Sequence, residues 1–279
     1  RVYEPGQALT VRWAQDGRTV SWADAKVLGS QADGEHRLAI TPGDHELSLL
    51  LHPWNHAPRE VPCDAFRVLQ ECWSDWLRSR HGYILDALSG QRLAVFEQTV
   101  PIAVTALNVD GVAMTLKDPS SLCDWMRALH TQRCLGAGSV DEAGAVLLTA
   151  PPASGKTSLM SQLVMLALEG GTELVPIVVR IQSLQKRLMA DPAAFTAAWN
   201  FVDGYLRLEY GESYPELYRF LRQALMARRA LLLLDGLDEG GAKRDDIERH
   251  VVDVLAAQGH LMLVTSRPAG IVEERFGAF

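Results

Sequence analysis

The loop sequence Ala-Pro-Pro-Ala-Ser-Gly-Lys-Thr-Ser, residues 150–158, constrains the fold of this 279-residue chain more than any other segment. It follows a continuous apolar run, Ala145 to Thr149, and leads into a largely apolar segment with helical spacing, Lys156 to Leu168. A glycine-containing loop between a buried strand and a helix offers backbone N–H groups and a helix N-terminus to an anion. This order of segments predicts a phosphate-binding loop in an α/β fold.

The residues of this loop have separate predicted roles. Lys156 can reach the β and γ oxygens of a bound triphosphate, and the Thr157 hydroxyl can bind magnesium. Gly155 leaves room for the backbone to approach the phosphates. Ala150 stands where the usual pattern has a glycine and takes a positive φ less readily, so we expect a slightly altered start of the loop. The residues predicted to contact the nucleotide are Ala150, Pro151, Pro152, Ala153, Ser154, Gly155, Lys156, Thr157 and Ser158.

A second apolar strand ends in a group of carboxylates. The run Leu231 to Leu234 continues into Asp235, and Asp238 and Glu239 follow after a glycine and a leucine. In open parallel sheets, ligands bind at the carboxyl ends of the strands. One acidic residue at that edge can hold magnesium directly or through water, and another can orient an attacking water. The sequence therefore predicts that this acidic cluster lies beside the phosphate-binding loop.

A third apolar strand, Leu261 to Thr265, ends in a pair of hydroxyls and an arginine. Thr265 and Ser266 are followed by Arg267 and then by a proline. Alone, Arg267 would be interpreted as a surface charge. Beside the other two strand ends, it becomes a candidate sensor of a γ-phosphate. Because these strands alternate with predicted helices, and Leu174 to Ile181 forms a further strand, the pattern predicts a parallel sheet.

Together, the three segments resemble the NACHT-type nucleoside-triphosphatase domain of the STAND class of signalling switches, a P-loop NTPase. The small residue Gly236 after the first aspartate, followed by the acidic pair, carries much of this resemblance. The resemblance covers about the second half of the chain. It implies bound ATP or GTP with Mg²⁺, slow hydrolysis, and a closed-to-open transition that drives oligomerisation.

The resemblance also implies a role for each matching residue. Lys156 would be the phosphate lysine, Thr157 and Asp235 the magnesium ligands, Asp238 and Glu239 the hydrolytic acidic pair, and Arg267 the sensor arginine. The family's helical lid and winged-helix segments do not occur before Phe279. We therefore expect the chain to be an excerpt of a larger multidomain protein, with protein partners and self-oligomerisation mediated by segments outside it.

The sequence of residues 1–138 indicates two further structural units. Residues 1–62 alternate apolar and polar positions in short runs, with turns at Asp16-Gly17 and Pro42-Gly43-Asp44, which is typical of a small all-β barrel-like module. Residues 63–138 read as an α+β connector containing two helices, the second capped by Ser120 or Ser121. Residues 139–279 would form the incomplete NACHT-like core.

The β module contains aromatic residues that admit two interpretations. Tyr3, Trp13, Trp22 and Trp54 could form a cage for a methylated lysine or another cation. The favoured interpretation is that they fill the core of a small barrel. His52 and His56 flank a proline and have no third metal ligand close in sequence, so they are interpreted as ordinary loop histidines.

Composition narrows the classes of partner. The chain has 27 basic and 34 acidic side chains, a formal net charge of -7, which is a poor match to nucleic acid or an anionic membrane surface. No apolar run approaches the length of about 20 residues that spans a bilayer. Four widely spaced cysteines are typical of reduced thiols, so a cytoplasmic location is expected.

Two alternatives to the hydrolytic switch stay open at this stage. In the first, the chain is a non-catalytic interaction scaffold, with a structural nucleotide and an N-terminal β module that binds a peptide or protein. In the second, it is a P-loop kinase, which would require an acceptor site that the sequence does not reveal. The preference between adenine and guanine, the signal sensed and the downstream effector are not readable from these motifs.

Overall fold

The computed structural model describes residues 3–15, 19–31, 34–41, 45–85, 89–96, 104–107, 113–116, 118–134, 144–169 and 173–276. These residues form a mixed α/β structure with one four-stranded parallel sheet, one five-stranded antiparallel sheet and two hairpins. The turns predicted at residues 16–17 and 42–44, and the boundary predicted at residues 138–139, lie outside the described residues.

The N-terminal part of the chain forms the antiparallel sheet, which confirms the predicted short strands. Its strands are β1 (Ala8–Gln15), β2 (Thr19–Ser30), β3 (His36–Thr41), β4 (His45–Leu49) and β5 (His56–Pro58), in the order β4-β3-β2-β1-β5. Alternate residues point to one apolar cluster, and Leu9, Val11, Leu38 and Ile40 are fully buried in it. Closure of this sheet into a barrel stays a prediction.

Two helices and two short hairpins follow. The hairpins pair β6 (Tyr83–Leu85) with β7 (Arg92–Ala94), and β8 (Val104–Leu107) with β9 (Ala113–Leu116); the helices are α1 (Cys63–His81) and α2 (Pro119–Cys134). The predicted cap of α2 was wrong. Asp118 accepts a hydrogen bond from the Ser121 amide at 2.7 Å, because it directly precedes the first turn of the helix, whereas Ser120 and Ser121 already lie within that turn.

The parallel sheet occupies the second half of the chain, as predicted. Its strands are β10 (Ala145–Thr149), β11 (Val175–Arg180), β12 (Ala230–Asp235) and β13 (Leu261–Ser266), in the order β10-β13-β12-β11. The helices between them are α3 (Lys156–Glu169), α4 (Ile181–Ala190), α5 (Pro192–Thr196), α6 (Phe201–Tyr210), α7 (Pro215–Met226) and α8 (Arg244–His250), the last continued by a π-helical turn, Val251–Ala256. Since all four strands run in one direction, their carboxyl ends lie at one edge.

Local sequence explains where several of these helices begin. Asp191 accepts a hydrogen bond from the Ala194 amide, and Asn200 accepts one from the Asp203 amide, so each side chain caps its helix. Pro215 occupies the first turn of α7, where its missing N–H leaves no hydrogen bond unmade. The segment between β11 and β12 is therefore divided into short helices by its own capping residues.

The helices α1 and α2 belong to the hydrophobic core of the parallel sheet. Phe66 and Trp73 of α1, and Leu122 and Met126 of α2, are buried in the same cluster as strands β10 to β13. Trp73 Nε1 also donates to the carbonyl oxygen of Pro176 on β11, at 2.9 Å. The segment predicted as a connector thus supplies part of the core, while the division of the chain into domains stays a prediction.

The N-terminal sheet contacts the parallel sheet at the amino ends of its strands. Trp22 Nε1 donates to Glu173, which precedes β11, at 3.2 Å. The guanidinium of Arg229, which precedes β12, lies 5.1 Å from the centre of the Trp22 ring. Trp54 packs against Gly259, which precedes β13 and has a φ of +75°. Each of these contacts lies at the amino edge of the parallel sheet.

The four aromatic residues considered as a cage do not converge on one ligand volume. Tyr3 donates to His56 Nε2 at 2.9 Å, because the other ring nitrogen of His56 contacts a backbone carbonyl. Trp13 packs against the core of the antiparallel sheet. Trp22 and Trp54 contact the α/β half of the chain, as described above. Tyr3 and Trp13 therefore pack with the core of the antiparallel sheet, as the favoured interpretation predicted, whereas Trp22 and Trp54 pack outside that core.

No helix in the described part of the chain combines the length and the apolar character needed to cross a bilayer.

Candidate functional site

The predicted phosphate-binding loop leaves β10 and enters α3 with an irregular backbone. Ala153 has a φ of 59° and Gly155 a φ of 88°, so both lie in the left-handed region. Gly155 adopts this conformation without strain, whereas a left-handed alanine costs about 1 kcal/mol. Ala150, where the usual pattern has a glycine, does not have a positive φ. A backbone held in this way turns successive N–H groups toward one side, the arrangement that binds anions.

Lys156 folds over its own loop. Its ammonium donates to the carbonyl oxygen of Ala150 at 2.7 Å and to that of Pro151 at 2.8 Å, with the Ser154 hydroxyl at 3.4 Å. These partners are neutral carbonyls rather than carboxylates. A phosphate oxygen makes a stronger, charge-assisted bond to an ammonium, so the present contacts can be exchanged for it.

Thr157 and Asp235 come together from different strand ends. The Thr157 hydroxyl donates to Asp235 Oδ2 at 3.3 Å. The other carboxylate oxygen, Oδ1, accepts from the Thr265 hydroxyl at 2.8 Å, and that hydroxyl accepts from the Gly236 amide at 3.0 Å. Thr265 is fully buried. Asp235 is thus oriented through one oxygen, while the second faces the loop.

Asp238 is engaged with the end of β13. Its Oδ1 accepts from the Arg267 amide at 3.1 Å and lies 3.5 Å from the Ser266 hydroxyl. Its Oδ2 lies 3.2 Å from Arg267 Nε. The Asp238 side chain is only 11% exposed. Both of its oxygens are therefore committed to contacts with the neighbouring strand end.

Glu239 differs from Asp238 in its surroundings. It is exposed, and no hydrogen bond or ion pair to its carboxylate occurs in the described ranges. The residue is reached through a tight turn in which Gly236 has a φ of +79°. A Cβ atom at that glycine would lie 3.2 Å from Glu239 Cδ, so glycine provides both the backbone conformation and the space. Of these two acids, Asp238 is engaged by the end of β13, and Glu239 has no partner among the described residues.

The strand order explains how these residues meet. Strand β13 lies between β10 and β12, and the Ala150 amide donates to the Ser266 carbonyl oxygen at 3.1 Å. Thr265 and Arg267 therefore stand between the loop and the acidic cluster. All the predicted site residues lie at this edge, with Ser158 half-buried in the first turn of α3. The sequence identified the hydroxyl pair of β13, but the carboxylate that each hydroxyl contacts depends on strand order, which has no local signal.

A histidine lies behind the loop on the neighbouring helix. His81 Nδ1 lies 3.2 Å from the hydroxyl of Ser161, one turn along α3 from Thr157. Burial lowers the pKa of His81 to about 4, with Arg80 and Arg180 contributing in the same direction. The imidazole is therefore neutral at physiological pH, and it adds no positive charge to the helix that carries Lys156.

The oxygens at this edge fit the coordination chemistry of Mg²⁺. The Thr157 hydroxyl and Asp235 Oδ2 are hard oxygen donors in contact with one another. Mg²⁺ is usually bound by one or two such protein oxygens together with water and substrate phosphates. Clusters of three or more His, Cys, Asp or Glu side chains suited to a metal are absent from the described segments.

No known protein-family model matches this chain, and no curated protein matches it. The geometry at the carboxyl edge of the sheet is therefore the basis for a functional interpretation.

Proposed function

We propose that this chain binds a nucleoside triphosphate, most simply ATP, together with Mg²⁺ and hydrolyses it slowly to the diphosphate and phosphate, as a NACHT-type P-loop NTPase. One observation carries the proposal. The anion-binding loop, the Thr157–Asp235 contact and Arg267 lie at the adjacent ends of β10, β12 and β13. Each would contact a different part of a triphosphate.

The loop would bind the phosphates and exclude water from them. Backbone N–H groups around Gly155 and the N-terminus of α3 would hold the α- and β-phosphates. Lys156 would exchange its two carbonyl contacts for phosphate oxygens. Thr157 and Asp235 would hold Mg²⁺, which when bound neutralises charge on the β- and γ-phosphates. Arg267 would contact the γ-phosphate from the next strand.

Glu239 is the best candidate for the residue that orients the attacking water. A carboxylate acts as a general base when it can reach the nucleophile and has no competing partner. Glu239 is exposed and unengaged, whereas both oxygens of Asp238 are committed. Of the two acids predicted to form a hydrolytic pair, Glu239 would therefore carry the chemical role.

The wider role that we propose is a conformational switch within a larger cytoplasmic protein. Occupancy of the site by the triphosphate or the diphosphate would shift the equilibrium between two conformations. Partner binding and self-oligomerisation would be mediated by segments outside this chain, and closure of the N-terminal sheet into a barrel-like module is part of the same proposal. The free thiols of Cys63, Cys72 and Cys123 are consistent with a reducing compartment.

Equilibrium titration of the chain with a fluorescent ATP analogue and Mg²⁺ tests the binding proposal. Lys156→Ala should weaken binding at least about 100-fold, because a charge-assisted contact to phosphate is lost. Lys186→Ala, which removes the same charge from the exposed face of α4, is the matched control and should leave the affinity unchanged. Equal affinities for the wild-type and Lys156→Ala chains would contradict the proposal.

Turnover distinguishes the switch from the scaffold alternative. Glu239→Gln should retain Mg²⁺–ATP binding and slow phosphate release at least about tenfold, because the general base is removed. If the wild-type chain binds ATP but releases phosphate no faster than Glu239→Gln, the nucleotide has a structural role. That result would favour the non-catalytic scaffold.

A further inference from the structure

The contacts of Asp238 all involve the end of β13. Its Oδ1 accepts a hydrogen bond from the Arg267 amide at 3.1 Å, and its Oδ2 lies 3.2 Å from Nε of the same residue. A carboxylate that contacts both the main chain and the guanidinium of one arginine restricts the path of that side chain. The Ser266 hydroxyl, 3.5 Å from Oδ1, adds a weaker contact from the neighbouring residue.

The Arg267 side chain keeps free donors under this restriction. A guanidinium has five N–H donors, and the contact with Asp238 involves Nε, so the four N–H groups of the terminal nitrogens have no partner among the described residues. The side chain is 51% exposed, and its strand lies directly beside the strand that enters the phosphate-binding loop. The free face of the guanidinium is therefore available at the same edge as Lys156.

We infer that Asp238 is a positioning residue for Arg267 and not a second hydrolytic acid. Held by Asp238, Arg267 distinguishes a triphosphate from a diphosphate, because only the triphosphate carries the γ-phosphate that Arg267 contacts. Prior restriction of a long, flexible side chain reduces the conformational entropy lost when it binds. This inference rests on the proposed function and assigns to Asp238 the preference for triphosphate over diphosphate.

The measurement is the ratio of affinities for a non-hydrolysable ATP analogue and for ADP, both with Mg²⁺. Asp238→Ala should reduce this ratio about tenfold by weakening binding of the ATP analogue, while ADP affinity stays within twofold of wild type. Asp238→Asn retains an oxygen for the Arg267 amide and removes only the charge, so it should reduce the ratio about threefold. Asp246→Ala, which breaks an ion pair on α8, is the matched control and should leave the ratio unchanged.

A double-mutant cycle tests whether Asp238 acts through Arg267. Arg267→Ala should reduce the ratio at least as much as Asp238→Ala, and adding Asp238→Ala to it should cause no further reduction. If Asp238→Ala has the wild-type affinity ratio, the inference is wrong. It is also wrong if the ratio of the double variant falls by the product of the two single-variant reductions. If the wild-type chain and Lys156→Ala bind ATP equally, the proposed function fails instead, so the two failures are distinguishable. A merely structural role would lower ADP affinity as well.

Discussion

The two ends of the parallel sheet both carry polar side chains, but those side chains have different kinds of partner. At the amino end, Gln223 is 1% exposed and its Oε1 accepts from the Glu60 and Val61 amides at 2.7 and 2.8 Å. At the carboxyl end, Lys156 contacts only its own loop, and Glu239 is unengaged within the described residues. Polar groups with partners in distant parts of the chain hold the structure together, whereas groups with only local partners can exchange those partners more readily.

Aromatic contacts strengthen the same distinction. The buried Arg229 guanidinium lies 5.1 Å from the centre of the Trp22 ring and 4.1 Å from that of Phe66. This contact joins the N-terminal sheet, α1 and the start of β12. The exposed Arg267, at the other end of the sheet, makes an ion pair with a single carboxylate. We therefore interpret the amino end as a permanent junction and the carboxyl end as an exchangeable site.

Acid should destabilise the amino end, with the largest expected effect. Burial lowers the pKa of His56 to about 4, and burial with a contribution from Arg228 lowers that of His260 to about 3. Below the unfolded value of 6.5, the unfolded chain binds protons that the folded chain does not, so stability falls as the pH decreases from 6.5 toward 4. From these two histidines we expect a loss of about 5 kcal/mol in the free energy of unfolding between pH 7 and pH 4.5.

Urea unfolding across this pH range measures the effect. His56→Asn should reduce the pH dependence, whereas His45→Asn, at an exposed position on β4, should leave it unchanged. Amide exchange at residues 56–61 should increase as the pH decreases over the same range. A stability that does not vary between pH 7 and 4.5 would contradict this explanation.

The junction itself can be broken by Gln223→Ala. The substitution leaves the Glu60 and Val61 amides without their acceptor, and we expect a loss of about 2 kcal/mol in the free energy of unfolding. Nucleotide affinity should stay within twofold of wild type, because the site lies at the other end of the sheet. Gln182→Ala, on the exposed face of α4, is the control. Equal urea midpoints for the two variants would show that Gln223 does not secure the junction.

A smaller effect is expected at the carboxyl end from Thr265→Val. The valine keeps the shape of the buried side chain and removes the hydrogen bond to Asp235 Oδ1. Loss of a residue that orients a metal ligand typically costs 10–100-fold in metal affinity. We expect the Mg²⁺-dependent part of nucleotide affinity to fall about tenfold in Thr265→Val. Thr265→Ser retains the hydroxyl and should therefore have the wild-type affinity. Comparable affinities for the valine and serine variants would mean that the hydroxyl does not orient Asp235.

The sequence predicted the carboxyl end well because each part of it is local. The runs Ala145–Thr149 and Leu231–Leu234 are continuous and apolar, as buried parallel strands require, and each is followed directly by predicted site residues. The rule that parallel strands end at one edge then brought the segments together. The order of the strands was not readable, so the roles of Thr265 and Asp238 as partners of other site residues were missed.

The amino-end junction could not be predicted for a different reason. The residues that form it are far apart in sequence: Glu60 and Gln223 are separated by 163 positions. Neither has a motif, and a buried glutamine has the same local signature as an exposed one. Trp22 was interpreted as core or cage, although its partners are Glu173 and Arg229 of the other half of the chain. Such contacts follow from how two sheets pack and not from any one segment.

Amide hydrogen exchange with and without saturating Mg²⁺–ATP tests whether nucleotide binds at the carboxyl end of the sheet and leaves the amino-end junction unchanged, because it reports on both ends in one experiment. We expect slower exchange at residues 150–158 and 235–239 and unchanged exchange at residues 57–62 and 222–229. Protection at the amino-end segments with none in the loop would contradict it, as would the absence of protection in all four segments.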